Sequence, residues 1–381
     1  MDEIKEYFWE QKITRRQFLK KSFFFLALSL GLKDIEALAL SDITCQKEAM
    51  FYKKIDELTV QCELCPRRCT LSEGQRSFCR VREPKAGKLY SLVHGKPCAV
   101  HIDPIEKKPL FHFLPATAVF SIATAGCNFR CKFCQNWQIS QASPEETYNY
   151  ELTPKQVVAE TVKNNCPSIA YTYTEPSIFY EYMLETAKIA RRSGIRNMYH
   201  SNGSLNPEPA QEIALYLDAA NIDLKGFTQD FYNDYCAGYL DTVLETLKIL
   251  KRSGVWLEIT NLVIPTLNDD LEKLREMSLW IKENLGSDVP LHFSRFHPQY
   301  KLTSLTSTPV STLDKARQIA MDSGLDFVYI GNVPGHMAEN TYCPGCLKAV
   351  IERRGFTILS NNINPQGKCN FCGRPIPGIW A

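Results

Sequence analysis

Cys127, Cys131 and Cys134 are separated by three residues and then by two. Thiolates are the usual ligands of iron–sulfur clusters, and a four-iron cluster has four irons to ligate. Three thiolates therefore leave one iron without a protein ligand. An open position on a metal is where chemistry happens, just as catalytic zinc sites keep a vacancy that structural ones close. Zinc itself would want a fourth ligand nearby, and the next cysteine is Cys166. The spacing thus predicts a 4Fe-4S cluster with a free corner.

Two further cysteine groups flank this one. Cys62, Cys65, Cys69 and Cys79 lie within eighteen residues, enough to close a tetrahedral site whose negative charge Arg67 and Arg68 could offset. Structural zinc is the preferred reading, and a second iron–sulfur cluster is its rival, since ferredoxin runs are similarly dense but differently spaced. Near the C-terminus, Cys343 and Cys346 precede Cys369 and Cys372 by twenty-two intervening residues. Paired CxxC knuckles at this separation predict a zinc ribbon; redox-active pairs are the alternative. Cys45, Cys98, Cys166 and Cys236 read as ordinary thiols. With fifteen cysteines in all, the short spacings favour metal ligands over a disulfide framework.

The elements that must carry these residues are legible from residue 119 to about 331, where short apolar runs alternate with helical patterns. Strands are predicted over 119–123, 168–173, 197–200, 220–224, 256–263, 291–296 and 327–330. Thr153-Pro154-Lys155-Gln156 is a capping box with proline at the first helical position. Ser193-Gly194, Ser253-Gly254 and Ser323-Gly324 each end a helix just before an apolar strand, with glycine supplying the left-handed cap. Two βα units fit between successive exits, which predicts an α/β fold, a partial (β/α) barrel, with an open doubly wound sheet as the alternative. The segment from His101 to Phe113 reads as a proline-punctuated link with structural histidines that could line the mouth of the site. In barrels the chemistry gathers where strands end. Polar words fall at those ends: Thr174-Glu175-Pro176, Ser201-Asn202-Gly203, Asp223-Leu224-Lys225-Gly226, Asn268-Asp269, Phe296-His297-Pro298 and Asn332.

At 381 residues and 44% hydrophobic, the chain can hold one large domain with small appendages. The predicted divisions are a signal segment over 1–40, an N-terminal four-cysteine module and linker over 41–116, the barrel over 117–335 and a C-terminal zinc-ribbon-like module over 336–381. A net charge of +2, with no basic tract suggesting a nucleic-acid groove beyond the first forty residues, argues against a nucleic-acid partner. Lys12 to Lys21 carries five positive charges and no negative one before a short apolar run, as in a signal peptide. Its Arg15-Arg16 pair looks like a twin-arginine signal, which points to export or membrane association. The low-potential electrons that an iron–sulfur cluster draws on are a cytoplasmic supply, so the destination stays open.

The cluster word resembles the signature of the radical S-adenosylmethionine (SAM) superfamily, C-x3-C-x2-C with an aromatic, Phe133, before the last cysteine. The resemblance implies that SAM seats on the free iron and is split by one electron to methionine and a 5′-deoxyadenosyl radical. Within that superfamily the strand-end words are similar to those of pyruvate formate-lyase activating enzymes. Glu175 matches the glutamate that holds the SAM amino group, with Tyr173 and Thr174 standing in place of two glycines. Asp223 and Lys225 match an Asp-Leu-Lys word whose aspartate helps bind a monovalent cation. Asn202 belongs to a word in which His200 replaces an aspartate, and His297 and Phe133 match groups that pack near the adenine.

Nearly the whole chain after the signal is similar to the AmmeMemoRadiSam radical SAM family. The words carrying this are Cys-Pro-Arg-Arg-Cys, Asp-Pro-Ile-Glu-Lys-Lys-Pro-Leu, Cys-Gln-Asn-Trp, Asn-Ile-Asp-Leu-Lys-Gly and the terminal CxxC pairs. This implies a Memo-type protein and an AMMECR-type protein as partners, with a low-potential electron donor such as flavodoxin or ferredoxin. The expected activity is hydrogen abstraction from a substrate the sequence does not name. A glycyl-radical-enzyme activase and a non-catalytic iron–sulfur and zinc scaffold or electron carrier are the alternatives.

Overall fold

The computed structural model describes residues 47–381, which form one compact unit. The twin-arginine-type segment and Cys45 lie outside the described residues. None of the described helices is long and apolar enough to cross a membrane.

An eight-stranded sheet organises the unit, and its strands lie side by side in chain order. They are β1 (Ala99–Pro104), β2 (Ala118–Ala123), β3 (Ser168–Tyr171), β4 (Arg196–Ser201), β5 (Ala219–Asp223), β6 (Trp256–Val263), β7 (Leu291–Arg295) and β8 (Val328–Gly331). From β2 to β8 every neighbouring pair is parallel. Helices α1 (Pro154–Lys163), α2 (Tyr180–Arg192), α3 (Pro207–Ala214), α4 (Leu240–Arg252), α5 (Leu271–Leu285) and α6 (Val310–Asp322) make the crossovers. With β1 and β8 as free edges, this is the expected partial (β/α) barrel. Strands buried on both faces read as nearly continuous apolar runs, which is why most of the parallel strands could be placed from sequence. Ile169, Ile222, Ile259 and Phe293 are all fully buried in the central core.

Helix ends follow their local chemistry. Thr153 and Gln156 cap α1 reciprocally. At the three Ser-Gly exits the glycines take φ of +71°, +77° and +94°. The next residue returns a hydrogen bond into the last turn each time: Ile195 to Ala190, Val255 to Leu250 and Leu325 to Ala320. These are the 6→1 bonds of a Schellman motif.

The segment expected to link into the barrel does more than that. Its first part is β1, antiparallel to β2, so the large sheet begins before residue 117. Its second part closes the N-terminal end of the barrel, not the mouth. The Glu258 carboxylate accepts from the Phe111 and His112 amides at 3.0 and 2.8 Å and lies 2.7 Å from His292 Nε2. His112 is fully buried and lies 2.6 Å from both Tyr329 Oη and the Pro377 carbonyl. Its role is structural.

Candidate functional site

The cluster loop leaves β2 through Gly126, where φ is +94°. A Cβ there would sit 2.4 Å from the Cys79 carbonyl oxygen and 2.7 Å from Val81 Cγ1, so only glycine allows the two loops to touch. Beyond it, Arg130 and Lys132 donate their amides to the Cys236 and Tyr235 carbonyls at 2.7 and 2.8 Å. Gln299 Nε2 and the Lys301 amide donate to the carbonyls of Gln135 and Lys132, both at 2.9 Å. The three thiols are thereby carried on a loop fixed from two sides. Burial pushes the Cys127 thiol well above its ordinary pKa, so it stays protonated until a metal takes the proton's place.

Glu175 stands at the end of β3, buried, at the head of the turn Pro176–Phe179. Its carboxylate accepts from Ser177 N at 3.0 Å, Ser177 Oγ and Ser201 Oγ at 2.7 Å each, and Asn202 N at 2.8 Å. All four donors are neutral, and burial raises its pKa. A buried carboxylate without a cation is costly, and this one is suited to an ammonium-bearing ligand. Asn202 ties it to the cluster loop, its Nδ2 lying 2.8 Å from Asn128 Oδ1 and 3.8 Å from Cys127 Sγ. Tyr173, in the place of a glycine, takes φ of +62°. The loop thus keeps a glycine-like turn at a cost of roughly 1–2 kcal/mol.

Asp223, at the end of β5, meets Lys225 Nζ at 2.6 Å and His200 Nε2 at 3.1 Å. Burial alone would raise its pKa; the Lys225 ammonium and the imidazole more than offset that and hold it well below the usual carboxylate range. The monovalent cation implied by the resemblance would therefore find Asp223 already compensated. Lys225 Nζ lies 6.0 Å from the ring centre of Phe133, a buried residue of the cluster loop. His297 is exposed at the rim beyond β7, held 3.1 Å from Ser307 Oγ.

Several members of this site were not read from sequence. Asn136 Nδ2 holds the Tyr173 carbonyl at 2.8 Å, Asn128 Nδ2 holds the Ser204 carbonyl at 2.8 Å, and Ser140 Oγ lies 3.1 Å from Cys134 Sγ. Tyr173 Oη donates to Asp103, which also takes Lys108 Nζ at 2.5 Å and Lys107 Nζ at 2.8 Å. Burial pulls Lys108 down to about 8 despite that partner. The Asn-Trp after Cys134 and the lysine pair after Pro104 were visible as words, but nothing local says what they reach.

The C-terminal cysteines come together. Cys343, Cys346, Cys369 and Cys372 place their sulfurs within 4.8 Å of one another, with Cys343–Cys372 at 3.6 Å and Cys346–Cys369 at 3.8 Å. Tetrahedral zinc with Zn–S near 2.3 Å has edges of about 3.8 Å, so this group fits a single ion. Among the described residues no other set of three or more ligating groups is gathered so closely.

The model of the radical SAM superfamily matches residues 121–277. An uncharacterized protein of Methanocaldococcus jannaschii is 50% identical over 331 residues, covering 87% of this chain and 98% of that one. The pyruvate formate-lyase-activating enzyme of Clostridium pasteurianum is 22% identical over 219 residues, covering 52% of this chain and 87% of its own. Among solved structures, a radical SAM methyltransferase from Sphaerobacter thermophilus aligns with a TM-score of 0.46 at 11% identity, over 80% of this chain and 84% of that one. A parallel sheet that ends in a three-thiol loop, with that superfamily's model matched across β2 to α5, makes this chain a member of the radical SAM superfamily, whose enzymes work with a 4Fe-4S cluster and SAM.

Proposed function

We propose that the protein cleaves SAM reductively and directs the resulting radical at a substrate in the barrel. Cys127, Cys131 and Cys134 would hold the 4Fe-4S cluster. When bound, that cluster supplies one electron to the sulfonium, giving methionine and the 5′-deoxyadenosyl radical. Glu175 would take the SAM amino group, and its buried charge without a cation is the observation that carries the reading. Asn202 would keep that carboxylate in register with Cys127. Phe133 and His297 would border the adenine, and the Lys225–Asp223 pair would set the charge beside the cluster loop. The barrel walls would keep water from the radical.

The substrate would lie above the buried Asp103, Lys108 and Tyr173 group. Following the AmmeMemoRadiSam resemblance, the partners would be a Memo-type and an AMMECR-type protein, with flavodoxin or ferredoxin supplying electrons. The C-terminal group would hold structural zinc. A second reading, hydrogen abstraction from a glycine of a protein partner, is favoured by relatives named as activating enzymes, among them the 4-hydroxyphenylacetate decarboxylase activating enzyme of Clostridium scatologenes.

The test is anaerobic reconstitution with iron and sulfide, reduction in the presence of SAM, and analysis for 5′-deoxyadenosine. The parent protein is expected to form the nucleoside and Cys131→Ala to form none. Equal yields from both would remove the assignment.

A further inference from the structure

Cys62, Cys65, Cys69 and Cys79 stand directly behind the cluster loop. The strands Val60–Cys62 and Thr70–Leu71 pair as a hairpin, and the Cys62 amide donates to the Cys69 carbonyl at 3.0 Å. Cys65 turns at the tip, its carbonyl accepting from the Arg68 amide at 3.2 Å, and Cys79 enters from the turn at 77–80. These four thiols are not drawn to the separations of the C-terminal group, which alone among the described residues is gathered within 4.8 Å. Cys127, Cys131 and Cys134 are likewise not gathered within that distance. A cube of iron and sulfide holds its thiolates farther apart than a single zinc does.

Contacts between the two thiol-bearing loops point the same way. The Cys79 carbonyl packs on Gly126, one residue before Cys127. Arg67 Nε donates to the Asn128 carbonyl at 2.7 Å, and Arg130 Nη1 donates to the Cys127 carbonyl at 2.8 Å. Both guanidiniums lie over the Phe78 ring, at 3.4 and 4.0 Å from its centre. Neither has a carboxylate partner among the described residues; their acceptors are main-chain carbonyls. Two uncompensated cations therefore lie where the two sets of thiols meet. Such cations lower the cost of negative charge on either side, including that of an added electron. A zinc tetrathiolate would share the static part of this stabilisation, but zinc carries no redox chemistry, and only an iron–sulfur centre has an added electron for the cations to favour.

We propose that Cys62, Cys65, Cys69 and Cys79 hold a second 4Fe-4S cluster, and that this module relays single electrons to the centre at Cys127, Cys131 and Cys134. The reductant is a low-potential flavin or iron–sulfur carrier. It gives up one electron, the module is reduced and then reoxidised by the neighbouring centre, and no atom or proton changes hands. This reverses the preference for zinc that spacing suggested. The destination of the electron rests on the SAM-cleaving reading; the metal content of the module does not.

The test is metal and sulfide analysis after anaerobic reconstitution of the full chain and of its Cys127→Ala/Cys131→Ala/Cys134→Ala variant. The variant should keep about four irons and about four sulfides, half the parent's content, with about one zinc. A variant with less than about one iron, or with a second zinc, would overturn the site. Because the variant's folding could be affected, the parent decides independently: about eight irons support the site, and about four irons with about two zincs overturn it. For the relay, Cys65→Ser should lose half the iron and slow reduction of the remaining centre by reduced flavodoxin at least tenfold, followed by its absorbance without SAM. An unchanged rate would overturn the relay. Absence of 5′-deoxyadenosine from every protein would count against the SAM reading and leave these results standing.

Discussion

Glu175 shows what one residue contributes. Its carboxylate has four neutral donors and no cation among the described residues, so an arriving ammonium gains a charge-assisted bond worth about 1.5–3 kcal/mol. Glu175→Gln should weaken SAM binding roughly 10- to 100-fold, measured by calorimetry on the reconstituted protein, with iron content unchanged; equal affinity would contradict the role. Burial raises the Glu175 pKa above the ordinary 4.5, so the carboxylate is lost to protonation earlier than usual as pH falls. SAM affinity should weaken over that range in the parent and stay flat in the Gln variant. Glu175 was legible because a Thr-Glu-Pro word at a strand end is local. Asn128 and Asn136 were not, since their partners Ser204 and Tyr173 lie 76 and 37 residues away, and asparagine in a loop is ordinarily a turn residue.

Whole elements were easiest to read where burial or a cap left a local mark. Most of the parallel strands carry apolar runs, β4 (Arg196–Ser201) being the exception, and the Ser-Gly exits have one conformational reason to recur. Strand β1 left no such mark. It contains His101 and Asp103 and ends at Pro104, and proline is tolerated in a sheet only at an edge or strand end. The segment after it is an element in its own right, plugging the barrel through His112. Burial pulls His112 down to about 4 from its ordinary 6.5. The unfolded chain therefore binds the proton more readily, and stability present above about 6.5 is lost as pH falls through that window, by about 3 kcal/mol. Chemical denaturation between pH 7 and 4 should show this decline, and His112→Phe should flatten it while costing stability at pH 7. A parent curve flat over this range would contradict the role.

At the scale of the molecule, the two outer cysteine groups grip opposite ends of the barrel. The N-terminal module packs behind the cluster loop through Gly126 and Arg67. At the other end, Ile379 donates to the His112 carbonyl at 2.7 Å and Arg353 Nη2 to the Phe111 carbonyl at 2.8 Å. Spacing revealed that three groups of thiols exist, but not that the loops carrying two of them touch, because the contact joins the Cys79 carbonyl to Gly126, far apart in the chain. The function as a whole depends on an iron left open for SAM at Cys127, Cys131 and Cys134. Its most direct test is electron paramagnetic resonance of the reduced cluster in Cys65→Ser, recorded with and without saturating SAM. A changed g-tensor on adding SAM is predicted there, and no such signal in Cys131→Ala/Cys65→Ser; a parent-like cluster whose spectrum ignores SAM would contradict the open iron.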